Sequence, residues 1–217
     1  MHYEILVEDI SGKAMLDNLL PKIIIHTKNT FRVHAYKGLG IIPKNLKTAH
    51  GVSNRILLEQ LPRLLRGYGN VHKADNEQIL IVVCDLDDRN ERKFLSELKS
   101  LSDNCRPKPR VEFCLAIEEG EAWLLGDIAA IKKAYPKALD NVLSRYKNDS
   151  ICGTWELLAD ALCKGGHLKL KKDGFQAIGT QKSKWASTIA LYMDVCNNKS
   201  PSFNNFKRTV EKYNDTR

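Results

Sequence analysis

The chain has 217 residues and a mass of 24.6 kDa, enough to bury a full hydrophobic core as one domain or as one domain with an elaborated tail. Hydrophobic residues make up 43% and charged residues 28%, which excludes a disordered or fibrous class, and no apolar run approaches the length of a membrane span. The formal net charge of +8 favours a polyanionic partner, nucleic acid first, because Lys and Arg release counterions when they neutralise phosphates; a merely solvated basic surface gives the same balance.

The opening MHYEILVEDI lacks the basic-then-apolar layout of a signal peptide, so a cytoplasmic location is expected. Residues 3–7 read as a β-strand and residues 12–25 as an amphipathic helix, with Pro21 expected to kink or break it. A second strand is predicted over 31–36, ending in the turn region 38–40, and a second helix over 52–65. After a turn-rich stretch at 67–76, ILIVVCDLDD reads as a strand apolar on both faces, the mark of a central parallel strand covered by helices. Residues 89–101 form the next predicted helix and 111–117 the next strand. The alternation predicts an α/β fold with a mostly parallel sheet flanked by helices, where ligands sit outside the carboxyl ends of the strands. Beyond residue 127 the pattern becomes helical, with a lysine-rich, glycine-containing stretch over 164–184. We therefore expect a catalytic core over 1–127 and a helical C-terminal elaboration over 128–217 packed on it.

Six cysteines are present, none in a CxxC pair or beside a histidine at zinc-ligand spacing, and Cys84 and Cys114 lie in apolar runs as core residues of a reduced protein. The acids are more informative. Asp85 and Asp87 fall where a parallel strand leaves the sheet. If the extended geometry persists, the period-2 rule puts both on one side of the chain, able to share a hard cation such as Mg²⁺ or Mn²⁺. Asp88 or Asn90 is left to cap the following helix. Glu8 closes the first apolar run, at another strand's carboxyl end. Glu118, Glu119 and Glu121 end the 111–117 strand, where acids also occur for dipolar reasons alone.

VEDISGKAML and VVCDLDD together resemble the glutamate and DxD motifs of the TOPRIM family, which includes topoisomerases, primases and the overcoming-lysogenization-defect nucleases. The segment AIEEGEAWLLGD is similar to the acidic strand-to-helix motif of small stand-alone members found with an ATPase in bacterial defence loci, and KSKWASTIALYMD to NKSPSFNNF extends the likeness over most of the chain. The resemblance implies a TOPRIM-like, Rossmann-like fold. It implies Glu8 as the invariant acid, Asp85 and Asp87 as metal ligands, and Glu119 and Glu121 as acids near a second ion. One departure is Asp9, which stands where many members have glycine; here the glycine is delayed to Gly12.

Lys164, Lys169, Lys171, Lys172, Lys182 and Lys184 are candidate phosphate contacts. Lys182 and Lys184 are the two singled out for catalysis, because they precede the amphipathic WASTIALYM segment whose apolar face would anchor them. His167, flanked by glycine, is a weaker candidate base. The expected activity is metal-dependent phosphodiester hydrolysis through two Mg²⁺ or Mn²⁺ ions, with DNA favoured over RNA and an ATPase as partner protein. The rival expectation is a non-catalytic nucleic-acid-binding or ATPase-partner subunit on the same fold. The chain contains no Walker A motif, so any ATP dependence comes from another chain.

Overall fold

The computed structural model describes residues 1–25, 28–43, 55–151 and 153–214. In chain order the elements are β1 (His2–Val7), α1 (Ile10–Ile23), β2 (Thr30–Ala35), α2 (Leu57–Ala74), β3 (Gln78–Asp85), α3 (Glu91–Asp103) and β4 (Val111–Ala116). Among the described residues seven more helices follow: α4 (Glu121–Leu125), α5 (Ile128–Ala134), α6 (Asp140–Leu143), α7 (Thr154–Leu162), α8 (Gly166–Asp173), α9 (Phe175–Ala190) and α10 (Pro201–Glu211). The strands form one all-parallel sheet in the order β2-β1-β3-β4. The fold is α/β and Rossmann-like, with helices on both faces. As the unbroken apolar run predicts, β3 is an inner strand, buried from Ile79 to Cys84.

Side-chain alternation divides the interior into two cores. On one face Tyr3, Ile5, Val7, Ile81 and Val83 pack with α1, α4, α9 and α10; on the other Leu6, Leu80, Val82 and Cys84 pack with α2 and α3. The helices beyond residue 127 share the first core with the sheet. Trp123 stacks on Phe206 at 5.0 Å between ring centroids and meets Phe203 edge-on at 5.7 Å, and its Nε1 donates to Ser202 Oγ at 2.9 Å. Cys84 and Cys114 are buried thiols, as expected; Cys152 lies outside the described residues.

Three local expectations are corrected. Pro21 leaves α1 as one helix of 14 residues, because it falls in the last turn, where only two helical residues follow it. The helix expected over 52–65 begins at Leu57, residues 52–54 lying outside the described residues, and it runs on through the stretch read as turns to Ala74. Gly67 and Gly69, which suggested turns, are interior helix residues. Gly69 has a packing reason: a Cβ there would stand 2.2 Å from the carbonyl oxygen of Pro107, so glycine lets α2 approach the loop before β4. Gly69→Ala is accordingly expected to destabilise the protein by roughly 1–3 kcal/mol, with Gly67→Ala, which meets nothing within 4 Å, neutral or stabilising in the same urea titration.

Candidate functional site

The strand order makes β1 and β3 neighbours while the helices that follow them leave for opposite faces, α1 to one and α3 to the other. A crevice opens at such a switch point, beyond the carboxyl ends of the strands. Glu8 is the first residue past β1 and Asp85 the last of β3, with Val7 in register with Val83. Asp85 is in register with Ala116, after which the β4 chain supplies Glu118, Glu119 and Glu121. The acids read from the sequence thus share one edge of the sheet. Glu8, Asp9, Ser11, Gly12, Asp85 and Glu121 line a cavity of about 30 Å³ beneath that edge, room for a water or a bare ion.

Burial dominates the electrostatics. One Glu8 oxygen accepts the Leu39 backbone N–H, while Oε2 is buried with no hydrogen-bond partner among the described residues. Burial, then the charges of Asp87 and Asp9, push the Glu8 carboxyl up to about 7, against a smaller opposing pull from Lys182. Asp85 keeps a partly accessible surface, yet its carboxyl is ringed by protein and held well above the usual carboxylate range by desolvation and then by Glu8. Glu119 is pushed up to about 7, again chiefly by burial. Lys182 Nζ lies 3.1 Å from Glu121 and 3.5 Å from Glu119. Glu121, only 3% exposed, is still raised, because desolvation outweighs that ion pair. For Lys182 burial works against the charged form, but Glu121, Glu119, Asp85 and Asp9 together overcome it and hold the ammonium charged.

Local backbone explains which acids face the crevice. β3 ends at Asp85 and Asp87 has φ 51°, so the period-2 pairing of Asp85 with Asp87 does not hold. Asp87 is instead half exposed and paired with Arg89, acting on Glu8 through its charge. Asn90 caps α3, accepting the Lys93 N–H at 3.0 Å. Asp9, the departure from the TOPRIM pattern, caps α1 through the Gly12 N–H at 2.7 Å and also accepts the Ser11 hydroxyl. Glu118 turns away at φ 63° and accepts the N–H groups of Gly153 at 2.8 Å and Thr154 at 2.9 Å, capping α7. No local signal announces that role, since its partners lie 35 and 36 residues ahead. Glu119 and Glu121 remain as the β4 acids that meet Lys182.

The stretch over 164–184 is two helices. Lys182 and Lys184 lie inside α9 rather than ahead of it. Lys182 reaches the acids because Trp185 and Ala186, one turn on, are buried in the core. Lys184 is exposed on another side of α9, where its charge acts on Cys163 together with that of Lys169. Lys171 pairs with Glu156 at 3.2 Å and lies over the Trp155 ring, while Lys164, Lys169 and Lys172 are exposed. Of these six lysines, Lys182 is the one that meets the acids. His167, on α8, meets Asp160 of α7 through Nδ1 at 2.8 Å.

The family model described as Domain of unknown function (DUF4276) matches residues 7–211, a span that takes in every acid of the crevice and Lys182. The chain belongs to this family. Searches of curated proteins and of solved structures each returned no match. Among the described residues no three His, Cys, Asp or Glu side chains stand in the arrangement of an assembled metal site, and no helix is long and apolar enough to cross a membrane.

The raised carboxyls set the pH profile of this DUF4276 chain. Glu8 and Glu119 have ordinary values of 4.5 and folded values of about 7, so their stabilising contribution is complete below pH 4.5 and is lost as the pH rises to about 7. Each loses on the order of 3 kcal/mol across that window. Urea unfolding in EDTA is expected to show falling stability from pH 4.5 to 7; a flat or rising profile would contradict the burial of these acids.

Proposed function

We propose that this chain is a divalent-metal-dependent phosphodiesterase, a nuclease that acts on DNA in preference to RNA and works with an ATPase supplied by another chain. The observation that carries the reading is the buried Oε2 of Glu8, without a partner among the described residues, in a crevice with Asp85, Glu119 and Glu121. Crowded, desolvated carboxylates oppose folding, and an oxygen left without a donor there is an unmet demand for a hard cation. The resemblance of the acidic motifs to the TOPRIM nucleases supports the same chemistry, the preference for DNA and the ATPase partner.

Carboxylate oxygens are the donors that Mg²⁺ or Mn²⁺ takes, and among the described residues the side chains would have to draw together to ligate one. Glu8, Asp85 and Glu121 line the cavity and would hold an ion; Asp87, whose charge acts on Glu8, and Glu119, 3.5 Å from Lys182, are the acids left for a second. When bound, such ions supply Lewis acidity toward the phosphate and the attacking water. The protein's own part is positional and electrostatic. Asp9 and the start of α1 fix the loop that carries Glu8, and α9 brings the Lys182 ammonium to the crevice edge, where it can offset phosphate charge. Lys182 also gives the rival reading its best support, since an acid cluster neutralised by its own lysine can be purely structural. The unpartnered Glu8 oxygen favours the catalytic one.

The test is hydrolysis of plasmid and single-stranded oligonucleotides with Mg²⁺ or Mn²⁺, in EDTA, and with a candidate ATPase added. Cleavage that depends on the ion supports the reading; binding without cleavage under every condition returns the chain to the binding class. In the same series, charge reversal at exposed Lys169, Lys172 and Lys184 is expected to weaken oligonucleotide binding and to lower the salt slope by about one for each phosphate no longer neutralised. An unchanged slope reduces those lysines to solvated surface.

A further inference from the structure

Among the described residues β4 is the outer strand on its side of the sheet, paired to β3 alone. The carbonyls of Arg110 and Ala116 accept from Leu80 and Leu86 on the β3 side, so even-numbered residues of β4 turn their backbone groups inward and Phe113 and Leu115 turn theirs outward. Among the described residues nothing hydrogen-bonds those outward N–H and C=O groups. The opposite edge is treated differently, for the Ala35 carbonyl of β2 accepts from Arg55 at 3.2 Å. An open edge is a template for another strand, and folds usually blunt it.

A groove of about 620 Å³ runs along this edge. Phe113 and Leu115 form its floor, Leu95 of α3 one wall, and Asn205 and Arg208 of α10 the other. The two walls also differ in charge. On the α3 side Glu91 stands beside Arg89, which is already paired with Asp87, whereas Arg208 on α10 is exposed and has no carboxylate partner among the described residues. The groove's other acid, Asp149, is occupied by the Ser200 hydroxyl and the Ser202 N–H. Outward backbone N–H and C=O groups along the edge match the ladder of a polypeptide strand, and the free Arg208 adds a place for a carboxylate on it.

We propose that this groove receives an extended segment of a partner polypeptide as a fifth strand on β4. Successive side chains of an added strand point to opposite walls, so the segment carries apolar residues at alternate positions, toward Leu95 and Phe113, and a carboxylate between them to meet Arg208. The proposal is independent of the chemistry assigned to the acidic crevice.

The test is to pan a phage-displayed library of random decapeptides against the full chain, and to measure the enriched peptides by fluorescence anisotropy and amide exchange. Enrichment of alternating apolar residues with an intervening Asp or Glu is expected, with the Phe113 and Leu115 amides protected on binding. Arg208→Glu should weaken binding by about tenfold or more. Phe113→Pro, which removes an outward N–H and no bond to β3, should do the same; if that variant fails to fold, the exchange measurement carries the backbone part of the proposal. Three results overturn it: no enriched peptide, enriched peptides that leave the Phe113 and Leu115 amides unprotected, or protection of those amides by an oligonucleotide. A chain that sediments as a dimer through β4 and becomes monomeric on Arg208→Glu assigns the edge to a second copy and overturns it as well.

Discussion

Asp85→Asn is expected to lower metal-dependent hydrolysis on the order of a thousandfold while raising the melting temperature in EDTA at neutral pH. Burial and the neighbouring Glu8 hold the Asp85 carboxyl far above its ordinary range, so folding at neutral pH requires either a proton or an unfavourable charge. Asparagine keeps the shape and removes that cost, and the same change removes the ligand charge a divalent ion needs. Stability and activity should therefore move in opposite directions, and the gain in stability should vanish in acid, where the wild-type carboxyl is protonated in both states. Asp87→Asn serves as the internal comparison. Asparagine tolerates the left-handed backbone at this position, and Asp87 is half exposed and paired with Arg89, so its stability gain should be the smaller of the two. If Asp85→Asn unfolds more easily in EDTA and cleaves as well as wild type, Asp85 is structural and the nuclease assignment falls.

Lys182→Met is expected to destabilise the metal-free protein at neutral pH by roughly 3–5 kcal/mol, because it leaves a buried carboxylate without its counter-charge. Glu121, 3% exposed, loses an ammonium at 3.1 Å, and Glu119 loses one at 3.5 Å. The Lys182 ammonium, its pKa raised, is charged throughout the neutral and acid range, so its stabilisation is present there and disappears only in strong alkali. The penalty in the variant comes from the acids, and it should shrink as the pH falls toward 4.5, where Glu119 and Glu121 take up protons even when unfolded. Mg²⁺ or Mn²⁺ should restore part of the loss, since a divalent ion supplies the missing positive charge. Parallel unfolding curves at neutral and acid pH, with and without the ion, measure all three effects. A penalty that ion and acid both leave untouched would mean that Lys182 acts through packing of its stem alone.

Much of the fold and part of the candidate site were legible because their signals are local. An apolar run without alternation identified β3 as a covered inner strand, and acids at the ends of such runs located Glu8 and Asp85 at a strand's carboxyl edge. Where local spacing misled, a distant contact had overruled a local preference. Gly69 resembles a turn residue until the Pro107 carbonyl above it is known, and Glu118 is indistinguishable from Glu119 until α7 presents two N–H groups to it. The lysines show the same division. Six share a basic, glycine-containing stretch, yet of these only Lys182 lies one helical turn before the Trp185 and Ala186 pair that α9 buries, and only Lys182 reaches the acids.

The sequence by itself determined the α/β class, the parallel sheet and the strand ends on which the acids sit, because periodicity and burial act over a few residues at a time. Tertiary structure alone decided that Asp87 swings out to Arg89, that Glu118 caps α7, that Lys182 neutralises Glu121, and that the edge of β4 lies open beside a groove. Those outcomes depend on which groups meet across tens of residues of chain, and on how much water is excluded when they meet. Neither quantity is written in local spacing.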